Sequence, residues 1–230
     1  MDRVTEKGSI LVYILLAVAL FAALSYAVSN MMRGNVEIGR ENRAVLANDI
    51  LGYARSVKET VQTLRITEQC SDTQISFERS PFDGSDTNYE NAAAPSDFSC
   101  HVFHPQGGGL GSATPMAKVS AFDYVYTGDL AVSDVGSNAG AELSFIVRDI
   151  DAEICSEINE KLGLQVPQTD IATSANFYNT TFQGTYSLSS SVGDGIGTGD
   201  AMYNAQLSGC FYENNVTAGE HFFYQVLIPR

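Results

Sequence analysis

Positive charge is scarce in this chain: 13 Lys and Arg stand against 27 Asp and Glu, a net charge of −14. Proteins bind a phosphate backbone by placing cationic side chains on it and releasing counterions. This balance therefore excludes nucleic acid as a partner. Histidine is scarcer still, at three residues, and none has an evident acid and nucleophile beside it in a motif. No serine sits in a G-x-S-x-G elbow, and the glycine series 193–199 is not followed by the Lys-Ser/Thr of a phosphate loop. The chain reads as a non-enzyme with no nucleotide cofactor. No proline precedes Pro81, so nothing imposes a helix break on the N-terminal third. No cysteine precedes Cys70, and no two cysteines make a C-x-x-C pair with metal-site spacing.

What is present divides unevenly. The 230 residues suit one ordinary domain plus an appendage, and 44% hydrophobic content allows a real core. Residues 34–66 carry five basic and four acidic side chains; residues 67–230 carry five and twenty-one, a net of −16. A near-neutral N-terminal part therefore precedes a strongly acidic one. The acidity reads as solubility, with selective cation binding as the alternative.

From Gly8 to Met32 there is no charged residue, and positions 10–28 are almost wholly apolar. About 20 helical residues at 1.5 Å each cross a hydrocarbon layer of about 30 Å. Residues 9–32 are thus expected to form a transmembrane helix, because lipid offers backbone groups no outside partner. A cleaved signal peptide is the alternative, with Ser25-Tyr26-Ala27 as a small-x-small site.

The helical pattern continues beyond the run. Leu46, Ile50, Tyr53, Val57, Val61 and Leu64 recur at spacings of three and four, one face of an amphipathic helix over 33–66. Gly34, Gly39 and Gly52 weaken it by about 1 kcal/mol each relative to alanine without ending it. A continuous helix over 9–66 would be about 87 Å long. Its apolar stripe needs a partner, and the chain's own β-sheet is the obvious one.

Residues 67–230 change texture to short β-like runs divided by turn residues. Strands are expected at 74–79, 100–104, around Phe122-Tyr124-Tyr126, at 143–148, 175–187, 203–212 and 221–228. One helix interrupts them at 149–162, with Ile150, Ile154, Cys155, Ile158 and Leu162 on its apolar face, Asp149 as cap and Gly163 as stop. The fold class is α+β. Cys70, Cys100, Cys155 and Cys210 read as two disulfides in an exported domain, which places the head in an oxidising compartment and the N-terminus in the cytoplasm. Cys70–Cys100 with Cys155–Cys210 is the favoured pairing, since each closes a moderate loop; reduced core cysteines are the alternative.

Lys7-Gly8, then Ser9, the apolar run and the amphipathic continuation together resemble the N-terminus of type IV pilins and of type II secretion pseudopilins. The resemblance covers about residues 3–66. It implies a cytoplasmic leader, 1–8, cut by a prepilin peptidase between Gly8 and Ser9, and methylation of the new terminus. It also implies a long N-terminal helix packed on an antiparallel β-rich domain. That domain would be periplasmic, on a single-pass anchor in the bacterial inner membrane. Other pilin-like subunits would be partners through the N-terminal helix. The family usually carries a glutamate five residues after the cut, where this chain has Tyr13. That carboxylate would pair with a neighbouring subunit's terminal amine in a low-dielectric place. Its absence points to a minor, tip-type component or to a pilin-like protein that is never processed. The function expected is a non-enzymatic structural or assembly subunit. The alternative is a membrane-tethered or signal-peptide-exported periplasmic binding module.

Ligand chemistry is thin. His101 and His104 beside Cys100 could hold zinc, but on a strand they would face opposite ways and the thiol would be oxidised. His221 reads as structural. Asp83, Asp86 and Asn88 in one loop, and Asp194 and Asp200 around the 193–199 glycines, are weak calcium candidates; neither stretch matches an EF-hand loop. No metal or other cofactor is expected on this basis. Asn179 and Asn215 fit the glycosylation acceptor pattern, which matters only in a eukaryotic source.

Overall fold

A computed structural model describes residues 9–136, 140–165, 177–188, 190–193, 200–213 and 219–230, with the side chains of the first helix described at 13–22, 25 and from 39 onward. The chain divides into two compact units, 1–43 and 44–230. Helix α1 spans Ser9–Thr67, 59 residues without interruption, so Gly34, Gly39 and Gly52 are carried within it. Nothing in this stretch removes an amide donor, and a glycine alone costs too little to stop a helix stabilised by packing.

In the second unit the apolar stripe of α1 is buried as its spacing requires. Ile50, Val57, Val61 and Leu64 are at most 1% exposed, and Leu46 and Tyr53 pack partly against the same core. Ala47, Leu51 and Ala54 are buried beside them; these widen the stripe to a full packing face. Each buried aliphatic side chain contributes about 1.5–3 kcal/mol. The helix ends where Cys70 N–H turns back to the Leu64 carbonyl at 3.3 Å and Gln69 takes a positive φ of 56°. The Cys70–Cys100 disulfide follows at once.

Among the described residues five strands make one sheet: β1 Val125–Val132, β2 Glu142–Val147, β3 Ser190–Val192, β4 Ser208–Glu213 and β5 Glu220–Ile228. Their order is β3-β1-β2-β5-β4. Only β1–β3 is parallel; the other three pairings are antiparallel. The fold is therefore α+β with an antiparallel-rich sheet. Both faces of the sheet are covered. Phe145, Val147, Phe223 and Leu227 join α1 in one core, while Ile146, Phe222, Tyr224 and Val226 face a second core with Phe177, Tyr203 and Phe211. Alternating side chains on β5 thus serve two apolar layers, which makes β2 and β5 read as continuous apolar runs.

Helix α2 spans Ala152–Leu162, and here one expectation is corrected. The N-cap is Asp151, whose Oδ1 accepts from the Glu153 amide at 2.9 Å; Asp149 instead sits at a φ of 53°. The Ile150 amide is engaged by the His221 carbonyl at 3.1 Å, so the chain is still bound to β5 there and cannot yet turn into a helix. Gly163 closes α2 in the left-handed region at φ 74°, as expected.

Other strand expectations shift too. Segments 74–79 and 100–104 meet only in a single bridge, Ser76 to His101. Local turn bonds such as Phe98 O to His101 N–H and His104 O to Gly107 N–H use up the backbone groups that a ladder needs. The strand placed around Phe122-Tyr124-Tyr126 begins at Val125 and runs on to Val132. The span expected to start at Tyr203 begins at Ser208, behind a 3₁₀ turn over Asp200–Tyr203. Of the strand expected at 175–187, residues 175 and 176 lie outside the described residues and 177–187 form turns, bends and irregular chain rather than a strand, while β3 is an addition to the expected set.

Candidate functional site

The first feature with functional weight lies in the N-terminal part of α1. Tyr13, Ile14, Leu15, Leu16, Val18, Leu20 and Phe21 are all more than half exposed, Tyr13 at 71% and Phe21 at 74%. Large apolar side chains presented together in this way mark an interaction with lipid or protein. Among the described residues, no helix is long and apolar enough to cross a membrane; the described side chains of the run, 13–22 and 25, are fewer than a span needs. Gly8 lies outside the described residues, and Ser9 is the first residue of α1. Tyr13 stands five residues after Gly8.

The head is tied by two disulfides, Cys70–Cys100 and Cys155–Cys210, the pairing favoured from loop length. Each closes on residues that are at most 4% exposed. The first anchors the irregular 70–104 segment to the end of α1. The second joins α2 to β4.

A buried carboxylate forms the second feature. Glu142 opens β2 and is 1% exposed. Leu130 is the last β1 residue in register with β2, while β3 pairs along the opposite edge of β1 from Leu130 to Val132, so the Val132 amide has no β2 carbonyl to meet. The Glu142 side chain bends across and accepts that N–H at 2.8 Å, replacing a ladder carbonyl. The same carboxylate lines a cavity of about 290 Å³ with Ser133, Asp134, Ser191 and Leu188. Removal from water pushes its pKa up to about 7; the hydrogen bond from Val132 opposes the rise. Among the described residues Glu142 has no ion-pair partner.

The histidines occupy a third place. His101 Nε2 lies 3.5 Å from a Glu78 oxygen, both side chains being under a tenth exposed. The other Glu78 oxygen accepts the Gly84 amide at 2.8 Å. His101 Nδ1 is buried without a hydrogen-bond partner. Burial holds the His101 pKa below the ordinary histidine value, against the pull of Glu78. His104 stacks on Phe98 at 4.3 Å and accepts the Gln106 amide on Nδ1. Cys100 is in its disulfide, so the trio does not assemble as a zinc site. Among the described residues no group of three His, Cys, Asp or Glu could hold a metal ion.

The calcium candidates are likewise separate. Asp83 Oδ1 accepts the Ser85 amide in its own turn, and Asp86 binds the Arg79 guanidinium at 3.1 Å. Asp194 lies outside the described residues, and Asp200 begins the 3₁₀ turn. His221 packs on the Tyr212 ring at 5.0 Å, in keeping with a structural part. Asn179 is exposed in a turn, while Asn215 lies outside the described residues.

Glu78, Glu142 and Asn159 went unread in the sequence. Only Asn159 left a local signal: it stands four residues after Cys155, on the apolar face of α2, where a polar side chain needs a partner. Comparison with protein-family models, with curated proteins and with solved structures finds no match to this chain.

Proposed function

We propose that this chain is a pilin-like structural or assembly subunit of a type IV pilus or type II secretion-type apparatus. It is anchored in a bacterial inner membrane by residues 9–32, with the leader in the cytoplasm and the acidic head in the periplasm. The observation that carries the reading is α1 itself. One uninterrupted helix, Ser9–Thr67, bears exposed large apolar side chains at 13–21 and a stripe from Ala47 to Leu64 that is buried apart from the partly covered Tyr53. A helix buried by its own domain at one end and greasy at the other is suited to anchoring and to lateral contact with other apolar helices. The two disulfides support an oxidising compartment for the head. Tyr13 in place of a carboxylate favours a minor or tip-type subunit over a repeating one.

The test is the mature N-terminus. Mass spectrometry of protein from cells holding a prepilin peptidase should find Ser9, methylated, at the terminus. Gly8→Asp should leave the leader attached. An intact leader in the wild type removes maturation from the proposal. A terminus near Val28 or Asn30 supports the second reading, an exported binding module. That reading is favoured by the cavity of about 290 Å³ beside Glu142, where a buried carboxylate meets a space large enough for a small molecule.

A further inference from the structure

Glu142 carries more charge than its backbone contacts require. Its carboxylate accepts the Val132 amide at 2.8 Å and is also turned to its own amide. A glutamine oxygen would accept the Val132 amide equally well without burying a charge. The carboxylate is only 1% exposed, and burial lifts its pKa to about 7. A carboxyl perturbed by burial that also lines a cavity is a physical signature of a binding site.

The surroundings of Glu142 leave its charge without a counter-ion. Arg230 acts on it electrostatically, but that guanidinium is 3.2 Å from Asp72 and lies 3.9 Å over the Tyr186 ring. Asp129, one residue before the Leu130 partner of Glu142 on β1, accepts the Ser187 hydroxyl at 3.0 Å. β3 brings only Ser190, Ser191 and Val192. None of the described residues lining the cavity of about 290 Å³ is Lys, Arg or His. Two carboxylates, Glu142 and Asp134, and two hydroxyls, Ser133 and Ser191, share it with the aliphatic Val135 and Leu188. Such a lining repels an anion. It is also too poor for a metal ion, since among the described residues no group of three His, Cys, Asp or Glu could hold one. An organic ammonium matches both halves: its N–H donors suit carboxylate and hydroxyl oxygens, and its chain suits the two aliphatic side chains.

We propose that the cavity beside Glu142 is a binding site for a small primary ammonium ion with a short aliphatic chain. The guest supplies the counter-ion that the fold withholds. Its size is bounded, because about 290 Å³ lies at the low end for ligand pockets. The attraction needs ionised Glu142, so uptake below about pH 7 releases a proton. Affinity should therefore climb with pH until Glu142 is ionised, by at most about tenfold per pH unit, and then level off. The site can serve an exported module or a subunit of an apparatus. Amine binding and leader processing are separate measurements, so failure of one leaves the other standing.

The experiment titrates n-butylammonium into the full chain in a non-denaturing detergent and follows binding by calorimetry, with 1-butanol and butyrate as controls. Wild type should bind the amine at about pH 8, at least about tenfold more weakly at about pH 5.5, and neither control comparably. Glu142→Gln should lose at least about tenfold in affinity at about pH 8, together with the pH dependence. Asp83→Asn removes an acidic group that does not line the cavity, and should bind as wild type does. No binding of the amine by wild type at about pH 8 overturns the proposal. So does equal binding by Glu142→Gln, or an equal loss in Asp83→Asn, because net charge would then hold the amine. Equal binding of 1-butanol overturns it as well, since aliphatic contact alone would suffice. If Glu142→Gln does not fold, the Glu142 carboxyl carbon resonance of wild type decides. Saturating amine must lower its titration midpoint by at least about one pH unit, and an unmoved midpoint overturns the proposal.

Discussion

Replacing Glu142 with glutamine tests how the structure handles its buried carboxylate. Glutamine keeps the shape and an oxygen for the Val132 amide but carries no charge. In the folded head, desolvation raises this carboxyl from 4.5 to about 7. A folded pKa above the unfolded one means that the group favours the native state fully only below the unfolded value. That contribution is lost as pH climbs from 4.5 through about 7, and the loss stays constant above. At 1.36 kcal/mol per pKa unit the loss is about 3 kcal/mol, and about half that if water in the adjoining cavity screens the charge. Glu142→Gln removes the loss. Near about pH 4 the two proteins should melt together; near about pH 8 the variant should melt about 3–10 °C higher, at about 2–4 °C per kcal/mol for a domain of this size. The other carboxylates and the histidines titrate alike in both proteins, so they cancel in the difference. Thermal unfolding of both in the same detergent across that range is the assay. A melting difference that does not grow with pH, or a carboxyl carbon resonance of Glu142 titrating near 4.5, refutes the reasoning.

Ile50→Ala, in the buried stripe of α1, should cost about 2–5 kcal/mol by denaturant midpoint, whereas Val45→Ala, exposed on the same helix, should stay within about 0.5 kcal/mol. Equal effects at the two positions would mean that the stripe does not pack as described. Alkylation without prior reduction should label none of the four cysteines, and labelling of Cys70 or Cys155 in native material would remove the argument for an oxidising compartment. His101 works in the opposite sense to Glu142: its folded pKa lies below the ordinary 6.5, so its contribution is present above that value and is lost as pH falls below it. His101→Asn should flatten the loss of stability on the acid side, and an unchanged acid limb would show that His101 does not contribute to it.

The buried stripe of α1 was legible because it is a local pattern. Six residues at spacings of three and four fix one face whatever lies opposite, and only the small residues Ala47 and Ala54, with Leu51, went unread beside them. The cysteine pairs were legible for a similar reason, since loop length alone ranks the connectivities. The edges of β-strands were not. Cys100–His104 looks like a strand by composition, yet its backbone groups are used by turns around Phe98 and Gly107. β3 is three residues long and exists only because β1 offers it a parallel partner.

The sequence by itself determined the long N-terminal helix, the α+β class, the acidic head and the short helix stopped by Gly163, because periodicity, charge and capping act over a few neighbouring residues. Only the tertiary structure decided which polar side chains carry weight. Glu142 serves a strand amide ten residues before it, where the pairing with β2 has ended, and Asn159 serves one 51 residues away. Pairing and desolvation depend on what the fold brings alongside, and no local pattern encodes that.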